Sequence, residues 1–136
     1  MDYSKLMQIA CKAREFAYAP YSDFKVGCAV ITSTGKVYTG ANIENISFGA
    51  SICAERVALN KAISEGEKDF IALAVCGGKG EELAPVCSPC GICRQVIAEF
   101  CKPNFIILLG TPQNFRSYTL SDLLPLNFTA DIKEQK

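Results

Sequence analysis

The 136-residue chain contains no histidine, no tryptophan and only two methionines. Without imidazole, the usual proton carrier and commonest metal ligand is missing. Proton transfer and metal binding therefore fall to carboxylates and thiols. Neither sign of charge is in excess: Lys+Arg and Asp+Glu each number 14, and the formal net charge is zero. That balance leaves no basic surface for a phosphate backbone and argues against a nucleic-acid duplex as partner. The missing tryptophan and basic groove count equally against editing of RNA or single-stranded DNA. No apolar run approaches the roughly 20 residues of a membrane span. The first residues lack a charged region followed by an apolar block, the pattern of a secretory signal. The expected location is the cytoplasm, with no membrane partner.

What is present describes a globular domain: 49% apolar and 21% charged residues, in a length that allows a sizeable core. Residues 1–128 are expected to form one domain, followed by a polar tail over 129–136. Eight cysteines are many for such a chain. In a reducing compartment they are not expected to pair. Cys11, Cys28, Cys76 and Cys101 stand among apolar neighbours and read as small buried hydrophobes. Cys53, Cys87, Cys90 and Cys93 carry metal-ligand spacing or sit beside it.

Apolar spacing over residues 4–18 predicts an amphipathic helix capped by Ser4 and ended by Pro20. Leu6, Ile9, Ala10, Ala13, Phe16 and Ala17 make its inner stripe. A nearly continuous apolar run, Val26 to Ile31, predicts a strand buried on both faces. Thr34-Gly35 turns it into a hairpin partner over 36–41. A second helix is expected over 53–64, stopped by Gly66. Strands follow at 70–76, 105–109 and 115–119. A third helix runs from about Pro89-Cys90 to Cys101, and a single helical turn starts at Leu120. Gly77-Gly78-Lys79-Gly80 reads as flexible loop, because no helix follows at once and the Walker spacing is absent. The order α-β-β-α-β-α-β-β predicts a three-layer α/β/α fold around a five-stranded mixed sheet.

Cys90-Gly91-Ile92-Cys93 has the C-x-x-C spacing of two zinc thiolates. A lone C-x-x-C also fits a thioredoxin-like redox pair, but that pair follows the first strand of its fold, and this one follows the third. Cys53 offers a third ligand. Cys53 and Glu55 lie two residues apart, about 200° around a regular helix. They reach one ion only if it sits over the helix end, with Cys53 still a terminal residue. Cys90 likewise opens its helix, so two helix N-termini would favour thiolate over thiol. Arg56 and Arg94, directly after the ligand motifs, are expected to offset the thiolate charge by hydrogen bonding. Three protein ligands leave a fourth position for water, whose pKa zinc brings to about 7. Glu55 is then the nearest proton carrier. Cys87 allows another outcome: a closed, structural site of four thiolates, or an iron–sulfur cluster.

Cys53-Ala54-Glu55 with Pro89-Cys90-x-x-Cys93 resembles the zinc nucleobase deaminase signature, in its three-cysteine form. The likeness extends through Tyr18-Ala19-Pro20-Tyr21-Ser22-x-Phe24-x-Val26-Gly27, Gly40-x-Asn42-Ile43-Glu44-Asn45, Ser88-Pro89-Cys90-Gly91-x-Cys93-Arg94-Gln95-Val96 and Leu123-Leu124-Pro125. Together these are similar to the small homotetrameric cytidine deaminases. The resemblance implies zinc on Cys53, Cys90 and Cys93, with Glu55 as proton donor. It implies that Asn42 and Glu44 hold the ribose hydroxyls, Phe24 packs on the pyrimidine, and the Ala54 backbone contacts the base. Phe128 would reach a neighbouring subunit's site. The implied reaction converts cytidine to uridine and ammonia, and 2'-deoxycytidine to its deoxyuridine counterpart, in pyrimidine salvage. Phe48 stands where the family often has tyrosine, Cys28 where it has alanine, and Cys87 is an added thiol. A deaminase of cytosine-containing antibiotics such as blasticidin, and a non-catalytic zinc module, are the competing readings.

Overall fold

The computed structural model describes residues 2–130. Five strands form one mixed sheet in the order β2-β1-β3-β4-β5. They are β1 (Phe24–Thr32), β2 (Val37–Ala41), β3 (Phe70–Lys79), β4 (Ile106–Thr111) and β5 (Asn114–Thr119). β3 and β4 pair in parallel and every other neighbouring pair is antiparallel. Successive side chains of a strand point to opposite faces. Cys28 and Val30 of β1 therefore join Leu73 and Val75 of β3 on one face. Ala29 and Ile31 join Ala72, Ala74 and Cys76 on the other.

Helix α1 (Tyr3–Ala13) covers the second face with Leu6, Met7 and Ala10. Helices α2 (Ala54–Ser64) and α3 (Gly91–Phe100) cover the first, through Ala58, Leu59, Ala62 and Ile97. A short α4 (Leu120–Leu123) follows β5. The three layers and five strands match the expectation, as does the double burial of the central strands. Leu6, Met7, Leu59, Leu73, Ile97, Ile107 and Leu108 are fully buried, and each such side chain contributes about 1.5–3 kcal/mol of burial.

Three local expectations are corrected. Helix α1 is capped by Asp2, whose carboxylate accepts from the Ser4 N–H at 2.9 Å, and not by Ser4. It ends at Ala13, well before Pro20, and passes into a 3-10 turn over Arg14–Phe16. The break turns Arg14 inward, where it donates to the carbonyls of Lys25 (2.8 Å), Gly78 (3.0 Å) and Gly80 (3.0 Å). Phe16 is left 80% exposed and joins no core stripe. Gly77–Lys79 belong to β3, not to a flexible loop, and pair with Phe24–Val26. Glycine is required there by neighbours and not by a turn. A Cβ on Gly78 would stand 1.9 Å from the Glu82 carbonyl oxygen, and one on Gly77 would stand 2.6 Å from Cys87 Sγ. Cys28, Cys76 and Cys101 are buried as expected, whereas Cys11 is half-buried. Thr129 and Ala130 of the expected tail are exposed; the rest of it, 131–136, lies outside the described residues.

Candidate active site

The site forms where two helices begin. Cys53 is the N-cap of α2 and Cys90 the N-cap of α3, both with extended backbone. Neither side chain caps its own helix, so both sulfurs are available to a shared centre. Cys93, one turn into α3, is buried behind them. The three sulfurs all lie within 4.8 Å of one another. Cys53 Sγ and Cys90 Sγ are 3.8 Å apart. Tetrahedral zinc with Zn–S of about 2.3 Å places its sulfurs roughly 3.8 Å apart, so the spacing suits that ion. Both helix N-termini also bring partial positive charge to the sulfurs.

The electrostatics favour thiolate at Cys53. Cys53 is pulled down to about 5, chiefly by its hydrogen bond with Cys93 and further by Arg56 and Cys90, against the opposing effect of burial. Cys93 is pushed up by the same bond and by burial. A divalent cation displaces protons from such sulfurs when it binds. Arg56 Nη2 donates to Cys53 Sγ at 3.6 Å. Its Nε is buried without an acceptor among the described residues.

Glu55, in the first turn of α2, is only 4% exposed. Burial raises its carboxyl to about 7, helped by the charge on Cys53 and opposed by Arg56. A carboxyl near 7 both accepts and donates protons at neutral pH. Glu55 shares the wall of a cavity of about 440 Å³ with Ala54, Asn42, Glu44, Cys53 and Cys90. That volume suits a small molecule.

The rim of this cavity is held by pairings that sequence reading missed. Ile43 bridges Ile52 by two backbone bonds of 3.0 Å, and Tyr18 bridges Ile43 on its other side. These bridges bring the segment carrying Asn42 and Glu44 beside Cys53. The Glu44 carboxylate accepts from the Tyr21 N–H at 2.9 Å, the Ser22 N–H at 3.2 Å and the Ser22 hydroxyl. The Ser22 hydroxyl is the main reason its pKa lies below the usual carboxylate value. Asn42 accepts from the Val26 N–H at 2.9 Å and donates to the Phe24 carbonyl at 2.8 Å. One amide hydrogen and one lone pair remain on Asn42 for other partners.

Other expected site residues stand apart. Phe24 lies over Gly77 together with Cys87, at the edge of the cavity that Cys87 lines. Phe128 is 79% exposed and lines a separate groove next to α3. Arg94 does not serve the thiolates as expected: its donors end on the Pro89 carbonyl (2.7 Å), the Leu123 carbonyl (2.6 Å) and the Ser88 hydroxyl (2.6 Å). Cys87 falls outside the sulfur group found among the described residues, so the four-thiolate alternative finds no support. Cys87 instead lines the cavity, and burial raises its thiol to about 11. Phe48, at the cavity mouth, is 78% exposed and meets Tyr21 edge to face at 6.4 Å.

The family model for the cytidine and deoxycytidylate deaminase zinc-binding region matches residues 1–109. The chain belongs to this deaminase family. It is a zinc-dependent deaminase, and its three-cysteine group is the part that could hold the ion. Among relatives, it is 48% identical over 132 residues to the cytidine deaminase of Halalkalibacterium halodurans, covering 96% of this chain and 97% of the relative. The crystal structure of cytidine deaminase from Burkholderia pseudomallei superposes with a TM-score of 0.86 at 45% identity, covering 94% of this chain and all of that one. A more distant relative, the blasticidin-S deaminase of Bacillus cereus, is 34% identical over 115 residues, or 80% of this chain and 81% of the relative.

Proposed function

We propose that the chain hydrolyses the exocyclic amine of cytidine and 2'-deoxycytidine, giving uridine or deoxyuridine and ammonia, within pyrimidine salvage. Cys53, Cys90 and Cys93 would hold one zinc per subunit, and Glu55 would move the protons. The observation that carries this reading is the buried Glu55 carboxyl on the same cavity wall as Cys53 and Cys90. Zinc, when bound, supplies a Lewis acid that makes water a nucleophile at neutral pH. Glu55 takes a proton from the attacking water and gives it to the N3 nitrogen of the base. It then carries a proton to the departing amine. Arg56, donating to Cys53 Sγ, limits the negative charge of three thiolates and so preserves the acidity of the ion. The Ala54 backbone holds the base and Phe24 packs against it. Asn42 and Glu44 take the ribose hydroxyls with the valences left open by their bonds to Phe24, Val26, Tyr21 and Ser22.

The working unit in this reading is a homotetramer with shared sites. Leu126 and Phe128 are large, apolar and exposed beyond α4, and a neighbouring subunit would cover them while Phe128 enters its site. The unbridged Cys53, Cys87, Cys90 and Cys93 suit a reducing cytoplasm. Blasticidin remains the rival substrate, because of the Bacillus cereus relative. An absorbance assay comparing cytidine, cytosine and blasticidin S, with and without a strong chelator, decides. Cytidine is expected to turn over fastest, free cytosine to lose most of the rate, and the chelator to abolish it. Faster turnover of blasticidin S, or chelator-resistant turnover of cytidine, would overturn the reading.

A further inference from the structure

Three acceptors from two segments meet on the guanidinium of Arg94. Nε donates to the Pro89 carbonyl at 2.7 Å and Nη2 to the Ser88 hydroxyl at 2.6 Å, so both bonds grip the turn immediately before Cys90. Nη1 donates to the Leu123 carbonyl at 2.6 Å, at the end of α4. The next residue of α3 continues the contact: Gln95 Nε2 donates to the Phe128 carbonyl at 3.2 Å. Arginine suits this place because its donors form a rigid planar fork, and all three bonds run from one charged group. Lysine, a point charge on a flexible stem, cannot satisfy three acceptors in fixed directions.

We propose that Arg94 is a positioning residue that couples the grip on the metal to the placement of the C-terminal segment through Leu123 to Phe128. The inference rests on the assignment of Cys90 as a zinc ligand. The Ser88-Pro89 turn sets where the Cys90 sulfur lies relative to Cys53 and Cys93. Arg94 braces that turn against α4, so a shift at either end is felt at the other. Coupling of this kind is reciprocal. An occupied metal site steadies the C-terminal segment, and an anchored segment slows metal loss.

Zinc release to the chromogenic chelator 4-(2-pyridylazo)resorcinol tests one end, with zinc-loaded wild type, Arg94→Lys and Arg94→Ala. Supporting residues around metal ligands typically change metal affinity about 10–100-fold. Arg94→Ala should release zinc faster by that order, and Arg94→Lys by an intermediate factor. Hydrogen exchange of residues 120–130 tests the other end. Stripping zinc should speed exchange there in wild type, whereas in Arg94→Ala exchange should be fast with or without zinc. A purely structural role would not make exchange in that segment depend on zinc. If Arg94→Ala does not fold, Ser88→Ala removes one of the three acceptors and should release zinc faster in the same direction. Wild-type release rates in both Arg94→Lys and Ser88→Ala, or exchange that ignores zinc in wild type, would overturn the coupling. A wild type that holds no zinc defeats the metal assignment itself. A zinc-bearing wild type with unaltered variants defeats only the role of Arg94.

Discussion

The sulfur end of the site and its open rim are built from opposite materials. The sulfurs and Glu55 stand at the starts of two helices packed against the buried central strands of the sheet. The rim hangs on isolated bridges and on the Glu44 carboxylate, which spends its hydrogen bonds on Tyr21 and Ser22 of the segment before β1. The first region can hold charges in a fixed geometry. The second can adapt its shape to a ligand and let it leave. Chemistry is therefore expected to be sensitive to small changes at the helix ends, and recognition to tolerate more change at the rim.

The sharpest break in that comparison is at Glu55. Glutamine keeps the shape and hydrogen bonding of the side chain but cannot move a proton. Positioned acid–base groups contribute about 10²–10⁴-fold to rate. Glu55→Gln is expected to lose turnover by at least that order while still binding cytidine, as measured by kcat and by equilibrium binding of the substrate. Turnover within a few-fold of wild type would place the proton carrier elsewhere.

A second test acts on the helix and not on its side chains. Gly40 of β2 faces α2 so closely that a Cβ would stand 2.4 Å from the Ala54 carbonyl oxygen and 2.6 Å from the Ala58 nitrogen. Both contacts are backbone and cannot rotate away. Overpacking of this kind costs roughly 1–3 kcal/mol. Gly40→Ala should therefore lower stability in urea by that amount. Because it pushes on the end of α2 that carries Cys53 and Glu55, it should also cut kcat more than it raises KM. A variant that loses stability but keeps kcat would show that the helix end can shift without harm to the chemistry.

The same contrast explains what could be read in advance. The metal group was legible because its ligands come from two short motifs, and because a residue that opens a helix can be recognised from the pattern that follows it. The layers were legible because β1 and β3 are apolar on both faces. Contacts between distant segments were not. Nothing in the spacing of Arg94 identifies the carbonyl of Leu123 as its acceptor, and adjacency to Cys93 pointed to the thiolates instead. Arg14 sits on the polar side of a helical pattern, yet the helix ends early and its guanidinium serves three carbonyls from other segments. Gly77 and Gly78 carry the composition of a loop, but they are strand residues whose missing side chains admit Cys87 and the backbone of Glu82.

The smallest effect is expected at the rim, where Ser22 links Glu44 and Phe24, two of the residues proposed to meet the substrate. Its hydroxyl donates to Glu44 and accepts from the Phe24 N–H at 3.0 Å. The Glu44 pKa lies below its ordinary value of 4.5, and the Ser22 hydroxyl is the largest cause. A carboxyl whose folded pKa is depressed favours the folded arrangement above its unfolded pKa, and that contribution is lost as pH falls through the folded value. The loop around Glu44 should thus keep its tether across neutral pH and release it only in acid. Ser22→Ala removes the largest cause while leaving the two backbone donors of Tyr21 and Ser22 in place. The Glu44 carboxyl, followed by its carbon NMR shift against pH, should then titrate closer to 4.5 than in wild type, and KM for cytidine at neutral pH should rise modestly with kcat nearly unchanged. An identical titration in the two proteins would mean that the backbone donors alone hold the charge, and that the rim owes its order to the bridges at Ile43 and not to the serine.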